Sequence, residues 1–260
     1  MADLSSLRSR IDQLDQALIS IVAERLAVCR EVATLKEGTD TPVIQPARVR
    51  DVITSRRQRA IEAAVDPDFI EQMFRVLLTE THRIEVAGHR PDPAPDKAAE
   101  AGGQRSGLDT VASRIDHVVL VVPDLAAART TMVDVFGFHE TPLAGPAQPG
   151  ICAVAAGGVT LVLVGPAAGA AVQNYLQSHG HGVQHVAIEV LNSGYARACL
   201  AASGAPLLTD VMLDDDGHEQ FFAVADDSTG LQFGFVSRTG HRVGVSAAHV
   251  LALFDALPAE

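Results

Sequence analysis

The 260-residue sequence predicts a multidomain chain, in which an all-α domain of three helices precedes an α+β domain of paired βαβββ modules. Three observations predict it. Leu4, Leu7, Ile11, Leu14, Leu18, Ile21, Arg25, Val28, Val32 and Leu35 recur at three- and four-residue spacing, the seam of one long packed helix. In "RPDPAPDKAAEAGGQRSG", residues 90–107, Pro, Gly, Ala and charge replace hydrophobic periodicity, as in a linker. Beyond it, "HVVLVV" from His117 and "HVAIEV" from His185 echo each other 68 residues apart, each followed by a small-residue helical stretch and further strands. The expected division is residues 1–89 helical, 90–113 linker and 114–260 sheet-containing.

The first helix is expected over about 4–36 and the second over about 47–64, just after Pro46. The third is expected over about 67–86, with Asp66 as cap and Pro67 in the first turn. An apolar content of 47% is ample for packed cores. Cys29, Cys152 and Cys199 form no Cys-x-x-Cys pair, so neither a disulfide framework nor a zinc site is expected. The longest apolar runs are strand-length, and no signal-like run opens the sequence, so no membrane segment and a cytoplasmic location are expected. Residues 1–90 hold 13 of the 20 Lys and Arg and 14 of the 32 acids, so most of the net charge of −12 is C-terminal. Without a basic stripe the chain is not expected to bind nucleic acid; its expected partners are small molecules.

Arg25 alone interrupts the apolar seam. One explanation is an arginine at the seam's edge whose guanidinium reaches water. The other is an internal anion site. Lys36 lies 11 residues on, within roughly 20° of the same helix face, and Arg48 opens the second helix. On the third helix Phe74, Leu78, Thr81 and Glu85 form one ridge, so a carboxyl group also faces inward. Cations gathered in an interior need an anion to neutralise them.

"LRSRIDQLDQALISIVAERLAVCREVATLK", "PVIQPARV" and "FRVLLTETHRIE" resemble the all-helical chorismate mutase family over roughly residues 4–87. The resemblance implies a three-helix mutase fold in an intertwined homodimer. It also implies catalytic roles for Arg8, Arg25, Lys36, Arg48 and Glu85, with Thr81 at a small-hydroxyl position. Arg8 and Arg48 would take one substrate carboxylate and Arg25 the other. Lys36 and Glu85 would face the ether oxygen, to which Glu85 can donate only when protonated. Arg8 lies 17 residues before Arg25, about 25 Å along one helix and turned by about 100°. Either it comes from a second subunit whose first helix packs antiparallel, or it is a solvated charge near a helix start.

The sequence departs from the family pattern at "QPARV". Val49 stands where ordinary chorismate mutases place a glutamate, and Gln45 where an acid is frequent; those groups hold the ring hydroxyl. The pattern is closer to relatives acting on altered substrates, 4-amino-4-deoxychorismate mutases and isochorismate pyruvate lyases.

Residues 114–238 resemble the vicinal oxygen chelate superfamily, with "HGHGVQHVAIEV" and "LQFGFVSRTGHRVG" similar to its 4-hydroxyphenylpyruvate dioxygenase branch. That fold closes two modules around a cup, which often holds a divalent metal on two first-strand histidines and a late-strand acid. His117 and His185 match the histidines, but the late-strand positions are Val162 and Gly234. A metal-free cup is therefore expected, unless His218 or Glu219 supplies a further ligand; Asp214 to Asp216 are expected in a solvated turn.

The expected function is pericyclic rearrangement of chorismate or 4-amino-4-deoxychorismate, needing no cofactor, with an accessory or second-step role for the fused domain. Isochorismate pyruvate lyase is the alternative within enzymes. A non-catalytic dimerisation module joined to a small-molecule-binding domain is the alternative outside them.

Overall fold

The structure, a computed structural model, describes residues 3–36, 39, 45–86, 107–214, 217–238 and 244–257. Most of the expected linker, including residues 90–106, lies outside them.

Helix α1 spans Leu4–Lys36, α2 Pro46–Glu62 and α3 Pro67–Val86. Pro46 and Pro67 each open their helix, where the missing N–H costs nothing. The Asp66 carboxylate accepts from the Phe69 amide at 3.4 Å. Ala64 turns the chain between α2 and α3 at a φ of 56°. Glu71 of α3 holds Arg57 of α2 at 2.7 Å and Arg75 one turn along at 2.9 Å. At 33 residues α1 is about 50 Å long, against about 30 Å for the 20 residues of α3. Its apolar seam therefore runs past the described residues that could cover it, and Leu4, Leu7, Ile11, Leu14, Leu18 and Ile21 are each 48–63% exposed.

The second domain begins earlier than the sequence indicated. Residues 108–113, assigned to the linker, form a short helix α4 (Leu108–Val111) and the start of β1 (Ala112–Val121). Val111 is fully buried, and Ala112 pairs with Val190. The polar and small residues of "LDTVASR" show no strand alternation, so neither element was legible.

Two βαβββ modules follow. The first is β1, α5 (Leu125–Thr130), β2 (His139–Thr141), β3 (Ile151–Ala156) and β4 (Val159–Val164). After α6 (Ala170–His179), the second is β5 (Gly182–Val190), α7 (Ser193–Ala202), β6 (Met212–Leu213), β7 (Glu219–Phe222) and β8 (Phe233–Ser237). Helix α8 (Ala247–Ala256) closes the described chain. The sheet runs β2-β3-β4-β1-β5-β8-β7-β6, a symmetric order with the two first strands antiparallel at its centre. Each first strand is parallel to the last strand of its own module.

The register assigns the two faces. His117, Val119 and Val121 share a face with His185 and Ala187, since Val119 pairs with His185 and His117 with Ala187. On the first module this face is covered by Val172 of α6 and by Val250 and Phe254 of α8. The opposite face carries Val190, Phe221 and Phe235 under Tyr195, Ala196 and Cys199 of α7.

Candidate active site

Three helices and one residue of the sheet domain line an open-mouthed cavity of about 420 Å³. From α1 come Arg25, Cys29, Val32 and Lys36, the i, i+4, i+7, i+11 ridge that points one face inward. The start of α2 gives Gln45, Arg48, Val49, Val52 and Arg56, and α3 gives Phe74, Leu78, Thr81, His82 and Glu85. Of the residues singled out in the sequence, the structure brings together Arg25, Lys36, Gln45, Arg48, Val49, Thr81 and Glu85. It does not bring in Arg8, which lies near the free end of α1, exposed and remote from this cavity.

Arg25 donates to the Thr81 hydroxyl at 2.7 Å, and Thr81 donates to the Leu77 carbonyl at 2.8 Å, so one hydroxyl anchors the guanidinium to α3. Lys36 and Glu85 pair at 2.6 Å, with side chains 17% and 12% exposed. Without a ligand the carboxylate thus accepts from the ammonium, so donating to a substrate oxygen would require Glu85 to take a proton and loosen this pair.

Arg56 and His82 are among the lining residues that the sequence did not single out. Arg56 lies one ridge step beyond Arg48 and Val52, a spacing the sequence displays, and its guanidinium sits 5.7 Å over the Phe74 ring. Burial, then the neighbouring charges of Arg59, Arg48 and Arg25, lower its pKa. That crowding of cations favours an anionic occupant. His82 is buried, with Nε2 lacking a hydrogen-bond partner, and burial followed by the Lys36 charge lowers its pKa to about 3. It is neutral at physiological pH; its side-by-side position with Thr81 gave no sequence signal.

In the sheet domain His117 is 1% exposed and His185 fully buried, their rings edge-to-face with centroids 5.6 Å apart. Asp116 accepts at Nδ1 of His117 at 2.7 Å and Gln184 pairs with Nδ1 of His185, while both Nε2 atoms are unpartnered. The donor set nevertheless does not complete the site usual in this superfamily. Val162 is apolar, and a Cβ at Gly234 would meet the Phe222 ring at 2.9 Å and the Gln220 amide nitrogen at 3.2 Å, leaving no room for an acid.

Of the two candidate substitutes, Glu219 is turned away by strand register. Glu219 alternates with Gln220, so it points to the α7 face, where the Ser193 hydroxyl donates to it. His218 pairs through Nδ1 with Asp214 at 3.0 Å, while its Nε2, like those of His117 and His185, is buried without a hydrogen-bond partner; Asp214, with only 13% of its side chain exposed, is no solvated turn residue, and Asp215 and Asp216 lie outside the described residues. Among the described residues no group of three or more His, Cys, Asp or Glu could hold a metal ion.

Fold and site together define a class: a helical domain with a cation-lined cavity, joined to a glyoxalase-type paired-module sheet. Residues 7–86 match the family described as chorismate mutase type II, and residues 116–222 match the glyoxalase/bleomycin resistance protein/dioxygenase superfamily. A 4-amino-4-deoxychorismate mutase of Streptomyces pristinaespiralis is 32% identical over 100 residues, 37% of this chain and 78% of that protein. The T-protein of Enterobacter agglomerans is 35% identical over 85 residues, 33% of this chain but only 23% of its own length. Methylmalonyl-CoA epimerase from Mycobacterium tuberculosis superimposes with a TM-score of 0.44 at 19% identity, covering 55% of this chain and 95% of that one. The chain belongs to the type II chorismate mutase family, a family of isomerases, and carries a glyoxalase-superfamily domain C-terminal to the mutase domain. No described helix is long and apolar enough to cross a membrane.

Proposed function

We propose that the helical domain rearranges chorismate or 4-amino-4-deoxychorismate to prephenate or its amino counterpart, acting as a homodimer. The observation that supports this most is the cavity's charge: Arg25, Lys36, Arg48 and Arg56 face it with Glu85 as the carboxyl group beside them. A Claisen rearrangement moves electrons around a ring with no nucleophile and no obligatory proton transfer. The protein has to hold a compact conformer of a dianion and stabilise charge growing on the ether oxygen. Guanidiniums suit the carboxylates through paired N–H donors, and Lys36 with protonated Glu85 suits the ether oxygen.

The exposed seam of α1 supports the dimer, because a second α1 packed antiparallel would cover it and carry its own Arg8 toward this cavity. The relatives named 4-amino-4-deoxychorismate mutase, together with Val49 in place of glutamate, support the amino substrate. The sheet domain takes an accessory role without a tightly held metal; stoichiometric iron, zinc or manganese surviving desalting and lost in His117→Ala would overturn that part.

The test is separate incubation with chorismate, 4-amino-4-deoxychorismate and isochorismate, with products identified by mass and NMR. Rearranged product from either of the first two is expected. Pyruvate and salicylate from isochorismate alone would replace this function with that of a lyase, and no turnover of any of the three would leave a binding module.

A further inference from the structure

The mutase cavity is not made by the mutase domain alone. Leu191, the residue after β5, lines it together with Val49, Val52 and Leu78. Leu191 is 6% exposed and belongs to the sheet domain's own core cluster, against which Val49 of α2 also packs. Beside Leu191 a gap of only about 10 Å³ remains, at the lower limit of what one water occupies, with Val49, Ile53 and Leu78 on its apolar side and Arg75, Thr79 and Ser113 on its polar side. The apolar side of this wall is therefore closely packed.

Its position is built and not incidental. Helix α3 has two working faces: Leu78, Thr81, His82 and Glu85 line the cavity, while Arg75, Thr79 and Arg83, at i, i+4 and i+8, grip the sheet domain. Arg75 donates to the Ala112 carbonyl at 2.9 Å, Thr79 pairs with Ser113 at 2.9 Å, and Arg83 pairs with Glu189, two residues before Leu191. The Leu191 amide is itself fixed on the Val111 carbonyl at 2.9 Å.

We infer that Leu191 is a specificity-determining residue of the mutase site, supplied by the fused domain to shape the apolar wall that receives the uncharged part of the substrate ring. The inference rests on the rearrangement proposed above. The cations fix the anionic groups of any chorismate-type dianion alike, so discrimination among such substrates falls to the surfaces their remaining atoms touch. A fused sheet domain placing a branched side chain there would select by the size and shape of the surface it offers those atoms.

The experiment measures kcat/KM for 4-amino-4-deoxychorismate and for chorismate in the full chain and in three variants. Leu191→Ala opens the wall, Leu191→Met keeps its volume and protects against a folding failure, and Ile188→Ala thins the same core cluster without lining the cavity. Expected is a change in the ratio of the two kcat/KM values of about tenfold in Leu191→Ala and a smaller one in the same direction in Leu191→Met, with Ile188→Ala unchanged. An active wild type whose folded Leu191 variants keep the ratio within about twofold, or an equal change in Ile188→Ala, overturns the inference alone. Inactivity of the wild type on both substrates removes the mutase function and this inference with it.

Discussion

Arg25 interrupts an apolar seam because the seam has two tasks along its length. Over its first two-thirds it is an apolar stripe, and from Arg25 onward it forms a cavity wall. Replacing Arg25 with Ala should cut kcat/KM by about 10²-fold or more while leaving the fold intact, since one partner of a desolvated ion pair with substrate is lost. Arg25→Leu should raise the melting temperature of the ligand-free protein, because the Arg48 and Arg56 charges stand in the same cavity wall. Unchanged turnover in Arg25→Ala would remove the site.

Val49→Glu, which on sequence grounds should improve use of chorismate, now carries a cost: the carboxylate would enter the contact with Leu191 and lose its water. The single variant should therefore be less stable and gain little, whereas combined with Leu191→Ala it should gain on chorismate. A larger gain in the single variant than in the double would contradict this.

His82 fixes a pH dependence. Its folded-state pKa of about 3 lies below the ordinary 6.5, so the unfolded chain binds the extra proton. The stability tied to a neutral His82 is complete above about pH 6.5 and is lost progressively as pH falls toward 3. His185 and His249, whose pKa values burial also lowers, act in the same direction. Asp116 is different, since hydrogen bonds from His117 and Arg238 hold its pKa well below 3.8 despite burial, so its contribution fades only below that value. Expected is a melting temperature that begins to drop just below pH 6.5, and a shallower drop in His82→Leu, which takes up about one proton fewer on unfolding near pH 5. Identical slopes in the two proteins would show that His82 is charged in the native state.

At the scale of elements, α1 is too long for its own domain, and that mismatch predicts sharing of sites. Chains inactivated at Arg8 and chains inactivated at Arg25, mixed and allowed to exchange, should recover part of the wild-type activity, because each hybrid dimer regains one intact site. Failure after verified exchange would mean that Arg8 does not enter the partner's cavity.

The helical half was legible in the sequence because one period governs it. Ridges at three and four residues placed Arg25, Lys36, Thr81 and Glu85 on facing surfaces before any coordinates. The sheet half was legible only in its repeat. The echo of His117 and His185 gave the paired modules, but whether Glu219 could reach the cup was left open, because a two-residue period sends neighbours to opposite faces, and one residue of register decides the matter. Leu191 carries no sequence signal at all, since a leucine after a strand reads as core until the domain packed against it is known.

At the scale of the molecule, the two domains are joined through a buried carboxylate. Glu189, 1% exposed on the side chain, takes Arg83 of α3 and, at 2.6 Å, Arg114 of β1, so one acid ties a mutase helix to the central sheet. The acid is expensive to bury and is tolerated because both guanidiniums reach it. Glu189→Gln keeps the shape and removes the charge, leaving Arg83 at the domain boundary with only the longer 3.5 Å contact to Glu80. The loss should be about 1–2 kcal/mol, less than for a fully buried pair, since Arg114 is 47% exposed and Arg83 and Arg114 keep Glu80 and Asp116 at 3.5 Å. Because the contact spans domains, it should appear as a single thermal transition splitting into two and not as a uniform shift. Substrate selectivity should shift with it in the direction produced by Leu191→Ala, since Leu191 stands two residues further along the same chain. Calorimetry and the kcat/KM ratio measured on one preparation would check both, and a single unshifted transition would show that the domains are held together elsewhere.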